Sequence, residues 1–189
     1  AFILIVKIQP DSQAQGVFRV ELVEVSLSEM SVLADYSWPL WQAAYEPGIL
    51  ATDLSRLLWR RSYSKTALEA AFASGEKTFW VRMAENRIGF VAYRLEAVSR
   101  QMRLSKLYLH PDYWGLGLGC RVLQRVSEVA IEAGATCIDL YVFRRNLRAI
   151  QTYQRAGFRV AREELTDLGD SVIYDDLVMI KSLEPRFRS

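Results

Sequence analysis

The stretch Leu107-Tyr108-Leu109-His110-Pro111-Asp112-Tyr113-Trp114-Gly115-Leu116-Gly117-Leu118-Gly119 carries the most information in this chain. An apolar run of strand type ends at Leu109, and a glycine-rich turn follows it. A long amphipathic pattern then begins. Val122, Val126, Val129 and Ala133 recur at helical spacing, with Leu123 and Ala130 beside them. A strand is therefore expected to enter a turn that opens a helix over 118–133, stopped by Gly134. The first amides of such a helix have no partner within it, and the helix dipole adds partial positive charge there. Glycines let an anionic group approach the backbone closely. The segment thus reads as a phosphate or pyrophosphate site, with a tight structural turn as the plainer alternative.

Two phosphate-binding patterns fail on spacing. A Walker loop needs Lys-Ser or Lys-Thr after its glycines, and neither follows here. A dinucleotide fingerprint spaces its third glycine farther on, and it belongs to a first strand–helix unit rather than to mid-chain.

On either side of this segment the pattern alternates. A strand is expected over 18–25. Ser26-Leu27-Ser28-Glu29 has the form of a capping box, so a helix should begin there, with Met30, Leu33 and Ala34 facing the core. Pro39 is expected to break or kink that helix. Further helices are predicted over 54–61 and 65–73, the latter ended by Ser74-Gly75. Strands are predicted over 78–84, 87–97 and 103–109, with a hairpin turn at Glu85-Asn86. After the long helix come a strand over 137–143, a helix over 146–156 stopped by Gly157, and strands over 158–161 and 172–181. The fold class is α/β with mixed order, about six to seven strands and about four helices. The polar stretch 9–16 separates a short apolar strand, 2–8, from the rest. The expected division is an N-terminal extension (1–16), one domain (17–183) and a short tail (184–189).

Composition narrows the classes. The chain has 189 residues, 51% hydrophobic and 24% charged, ordinary for a globular protein and unlike a disordered or fibrous one. A domain of this length buries about 70% of the surface its unfolded chain exposes. Twenty-four basic against 22 acidic side chains leave a net charge of +2, too balanced to point to a nucleic acid or a membrane surface. Arg144, Arg145 and Arg148 are read as a solvated helix start or as neighbours of a bound phosphate. Cys120, Cys137 and the single histidine, His110, make no zinc spacing, so no metal is expected. Two reduced thiols fit a cytoplasmic protein. The run 2–6 is too short for a secretory signal, and no apolar stretch reaches the ~20 residues of a membrane span.

A second segment decides among the phosphate folds. Residues 140–158, LYVFRRNLRAIQTYQRAGF, carry Leu140, Val142, Asn146, Ala149, Tyr153, Gly157 and Phe158. This spacing resembles the L-x-V-x-x-x-N-x-x-A-x-x-x-Y-x-x-x-G-F pattern of the GNAT superfamily of N-acetyltransferases. The glycine loop resembles that family's Q/R-x-x-G-x-G/A pattern, with Trp114 where Gln or Arg is usual. The resemblance spans roughly residues 18–183. More loosely, Trp41, Ala44, Tyr45, Leu54, Tyr63, Ser64 and Leu68, with the tail from Gly169 to Lys181, look like the bacterial branch related to spermidine/spermine acetyltransferases.

What the resemblance implies is specific. The sheet should splay at the acetyl-CoA site, between the strand ending at Leu109 and the strand 137–143. The backbone of Leu107, Tyr108 and Leu109 should pair with the pantetheine arm. The pyrophosphate should sit on Trp114, Gly115, Leu116, Gly117, Leu118, Gly119 and Cys120, with Arg121 a compensating cation. Asn146 and Ala149 complete the cofactor side, Asn146 also being a helix cap. Tyr153 stands where the family has its general acid, and a phenol is a suitable proton source for a thiolate. The strand before the loop reads Met102-Arg103-Leu104-Ser105-Lys106 and lacks the family's usual Glu, which leaves Glu96 as a candidate base. His110 as base and Cys120 as acyl carrier are weaker alternatives. The implied activity is acetyl transfer from acetyl-CoA to a polyamine or other small primary amine. Asp170, Asp175 and Asp176 are candidate charge partners for it. A protein N-terminal or lysine acetyltransferase and a non-catalytic acyl-CoA sensor are the competing readings. Relatives are often dimers, so strand 2–8 is a candidate for pairing between chains.

Overall fold

The computed structural model describes residues 19–46, 48–167 and 173–183. The expected strand 2–8, the extension, the tail and Asp170 lie outside the described residues, as does the dimer contact that strand 2–8 was to make.

Seven strands form one sheet in the order β1-β2-β3-β4-β5-β7-β6. They are β1 (Val20–Glu24), β2 (Lys77–Met83), β3 (Asn86–Glu96), β4 (Gln101–Leu109), β5 (Cys137–Phe143), β6 (Arg159–Asp167) and β7 (Ile173–Ser182). All neighbours run antiparallel except β4 and β5, which are parallel. This is the mixed α/β architecture expected. The parallel pairing is short. Gln101–Leu104 pair with Cys137–Leu140, and beyond Leu104 the two strands part. From there β4 stays on β3, with Leu107 opposite Val91 and Leu109 opposite Gly89, while β5 stays on β7. The sheet therefore opens into a V between residues 105–109 and 141–143.

The pleat sends alternate side chains to two cores. Trp80 and Phe90, paired across β2 and β3, turn to one face with α1 (Met30–Tyr45), α2 (Thr52–Tyr63) and α3 (Lys65–Ala73). Val81 and Val91, one step along, turn to the other face, with α4 (Leu118–Glu132) and α5 (Leu147–Arg155). Gly89 is dictated by packing. A Cβ there would lie 2.1 Å from the Tyr108 carbonyl oxygen, closer than any side chain tolerates.

A 3-10 turn over Leu27–Glu29 carries the predicted capping box, and α1 follows it. Of the break or kink expected at Pro39, the break does not occur: α1 runs on to Tyr45. Pro39 is exposed, and so is Asp35, whose carbonyl loses its amide partner, so water can replace that bond. Buried Leu40 and Trp41 hold the next turn in the core. No helix among the described residues is long and apolar enough to cross a membrane.

Candidate active site

The V opens into a cleft of about 820 Å³, lined from β4, β5, β7, the glycine loop, α1, α2, α4 and α5. That volume suits a large ligand. Its floor is the free edge of β4. Backbone groups of residues 105–109 that point toward β5 have no strand partner. One of them is already engaged: the Trp114 indole N–H donates to the Leu109 carbonyl at 2.9 Å. Pairing with an extended ligand is left to Leu107. Contrary to expectation, the Tyr108 backbone faces Phe90 on β3, two residues from the His110 amide that donates to the Ile88 carbonyl. Tyr108 lines the cleft with its side chain.

The glycine loop closes the open end. A 3-10 turn, Pro111–Tyr113, is capped by His110, whose Nδ1 accepts from the Asp112 amide. Gly115 (φ +78°) and Gly117 (φ +74°) adopt left-handed backbone, and Gly117 is the N-cap of α4. A Cβ on either would meet nothing within 4 Å, so the space over the loop is open. The free first-turn amides of α4, at Leu118, Gly119 and Cys120, belong to residues on the cleft wall.

Trp114 stands where the pattern it resembles has Gln or Arg, yet a cation reaches the loop from elsewhere. The Arg148 guanidinium lies 3.2 Å over the Trp114 ring, and both line the cleft. Burial lowers the Arg148 pKa. Sequence order gives no sign of this pairing, which forms only when the start of α5 packs beside the loop.

Asn146 is the N-cap of α5: its Oδ1 accepts from the Ala149 amide at 3.2 Å. Its side chain also hydrogen-bonds Tyr45, whose hydroxyl in turn bonds Tyr108. The Tyr63 and Tyr108 hydroxyls are 3.0 Å apart. Trp41 packs against Tyr45 at 4.2 Å between ring centres. α1, α2, β4 and α5 thus meet in an aromatic wall joined by a chain of hydroxyls, an arrangement that residues so far apart in sequence do not announce. Tyr153, on α5, lines the same cleft and packs edge-on to Phe158. Burial pushes its phenol well above the usual range, so it stays protonated at neutral pH.

Of the residues expected at the site, Leu107, Tyr108, Leu109, Trp114, Gly115, Gly117, Leu118, Gly119, Cys120, Asn146, Ala149 and Tyr153 are on the cleft wall. Leu116 and Arg121 are exposed and off it. The Cys120 thiol donates to the Thr152 carbonyl at 3.7 Å, a packing contact between α4 and α5. Glu96 is not brought to the site, which corrects its expected role as base. It ends β3 opposite Gln101, where β4 and β5 are still paired, and Gly89 marks the open end seven residues earlier, about 24 Å away at strand rise. Its carboxylate is ion-paired with Arg94 at 2.7 Å.

The acid that does reach the cleft is Asp176. Along β7, Asp175 turns to the Arg144 guanidinium at 2.8 Å, and Arg144 also holds Glu163. Asp176 turns the other way and is 8% exposed. Its Oδ1 is buried with no hydrogen-bond donor among the described residues. Burial, with smaller contributions from Asp175 and Glu164, pushes its carboxyl up to about 6. Arg145 donates to the Gly48 and Ile49 carbonyls and so ties down the loop after α1. Arg144 and Arg145 thus serve the fold. No cluster of metal-ligating side chains occurs among the described residues.

Comparison with known proteins agrees with this geometry. Residues 39–158 match the acetyltransferase (GNAT) family pattern. An uncharacterised N-acetyltransferase of Mycobacterium bovis is 32% identical over 99 residues, 52% of this chain and 63% of the relative. The chain thus spans just under two thirds of that relative's length. Spermidine N(1)-acetyltransferase of Thermoplasma acidophilum is 25% identical over 159 residues, 82% of this chain and 95% of the relative. Among solved structures, PaiA N-acetyltransferase of the same organism with coenzyme A superposes at TM-score 0.70 and 23% identity, over 87% of this chain and 99% of that one. The spermidine N-acetyltransferase of Vibrio cholerae with CoA and spermine superposes at 0.64 and 16%, over 88% and 96%. At these identities the two superpositions carry the fold.

Proposed function

Since the chain belongs to the acetyltransferase (GNAT) family, we propose that it transfers an acetyl group from acetyl-CoA to a primary amine, a polyamine or another small amine, by direct attack on the thioester. The observation that carries this reading is the V between β4 and β5, with the amide cradle of Gly117 at its mouth and Tyr153 on its wall. The residues fit the co-substrate: the cradle is open, the β4 edge is unpaired, and the volume suffices.

Acetyl-CoA supplies the activated acyl carbon, its carbon–sulfur bond breaking as the new carbon–nitrogen bond forms. The first-turn amides of α4 hold the pyrophosphate, assisted by the dipole. Arg148, stacked on Trp114, adds the charge the loop itself lacks. Leu107 offers backbone groups to the amides of the arm, in the manner of an added strand. Tyr153 then donates its phenolic proton to the departing sulfur and is reprotonated by the proton that the newly acylated nitrogen sheds. Two free cysteines accord with a cytoplasmic setting.

The test is thiol release from acetyl-CoA over a panel of small amines and peptides, with wild type and Tyr153→Phe. Amine-dependent release lost in the variant supports the reading. Tight coenzyme binding without release on any amine makes the chain an acyl-CoA sensor instead. Release with peptides alone makes it a protein acetyltransferase.

A further inference from the structure

One carboxylate on the cleft wall has an oxygen that no donor among the described residues reaches. Asp176 is more than nine-tenths buried, lines the cleft, and keeps Oδ1 without a donor among the described residues. The groups around it are Tyr45 from α1, Tyr174 and Asp175 on its own strand, Glu164 opposite on β6 and Phe143 opposite on β5. None of these is a cation. Among the described cleft-lining residues Asp176 is the only carboxylate. The walls beside it are aromatic: Trp41, Tyr45, Tyr63, Tyr108, Phe143 and Tyr174.

We propose that Asp176 receives the ammonium group of the acetyl acceptor and takes the proton that this nitrogen must shed before it attacks, and that this acceptor is a primary amine with a single positive charge on an apolar or aromatic skeleton. This rests on the acetyltransferase reading above. An ammonium supplies both the donor and the counter-charge that the desolvated oxygen lacks. Aromatic faces attract the cation and bury the carbon skeleton. A polyamine would bring further ammonium groups, and no second carboxylate on the described wall receives them. Arg148 and Arg155 line the cleft as well, which disfavours a polycation, while Lys106 is neutralised by its ion pair with Glu76.

The test is calorimetric titration of the CoA-loaded full chain with 2-phenylethylamine and with spermidine, for wild type, Asp176→Asn and Asp176→Glu, together with thiol release from acetyl-CoA. The proposal expects 2-phenylethylamine to bind about tenfold or more tighter than spermidine. It expects Asp176→Asn to weaken that binding about tenfold or more with CoA affinity unchanged, and Asp176→Glu to weaken it less. Tighter spermidine, no uptake of either amine, or wild-type affinity in Asp176→Asn overturns it. Asp176-dependent amine binding without thiol release keeps the anchor and defeats the enzyme reading. Thiol release indifferent to Asp176→Asn does the reverse.

Discussion

Asp176→Asn is expected to stabilise the protein at neutral pH while damaging its site. The wild-type carboxyl titrates at about 6 in the folded chain against 3.8 as the ordinary value. The folded state therefore binds the proton more tightly than the unfolded state, and wild-type stability falls as pH rises from about 4 to above 6. The difference of about two units corresponds to about 3 kcal/mol at full strength. Solvent reaching the cleft reduces this to roughly 1–3 kcal/mol. Asparagine has nearly the same shape and no charge to desolvate, so it removes the penalty. Urea unfolding followed by fluorescence of the five tryptophans, at pH 4 and pH 7.5, reads the effect. The variant should exceed wild type by that amount at pH 7.5 and match it at pH 4. An equal difference at both pH values, or a less stable variant at pH 7.5, refutes the argument that Asp176 is an unpaired buried charge. Stability gained together with amine binding lost is the usual signature of a strained functional group.

Tyr153→Phe keeps the ring that packs on Phe158 and removes the proton, so kcat should fall about 10²- to 10⁴-fold with coenzyme affinity unchanged, checked by steady-state kinetics and calorimetry. Arg148→Ala removes the cation over Trp114 and should weaken coenzyme A binding about tenfold, with a matching change in Trp114 emission on binding. Gly89→Ala drives a methyl group into the Tyr108 carbonyl and should cost more than about 3 kcal/mol or abolish soluble folding; a wild-type melting curve would contradict the β3–β4 register.

Signals held within one segment were legible in the sequence. Asn146 and Gly157 bracket α5 to within a residue, because an N-cap side chain and a left-handed glycine (φ +92°) act on their own turn. Gly117 marks the start of α4 for the same reason. What depends on distant pairing was not legible. Pro39 reads locally as a break, but Leu40 and Trp41 find partners on the sheet and keep α1 whole. Glu96 has the chemistry of a base and the wrong end of the strand, a matter of β3–β4 register. Asp175 and Asp176 are equivalent in one dimension. Only the placement of β7 between β5 and β6 sends one to Arg144 and the other into the cleft. The joined hydroxyls of Tyr45, Tyr63 and Tyr108 come from three elements, and no periodicity links them.

For the site to work as proposed, the amides around Gly117 must grip the diphosphate of coenzyme A. Titration calorimetry of wild type and Gly117→Ala with coenzyme A addresses it directly. Wild type should bind with Kd well below 1 mM, better than about 4 kcal/mol. An empty loop with alanine relaxes away from φ +74°, and driving it back on binding costs about 1–2 kcal/mol, so the variant should bind about five- to thirtyfold more weakly. No heat of binding at millimolar coenzyme A with folded wild type, or equal affinity in both proteins, contradicts the account.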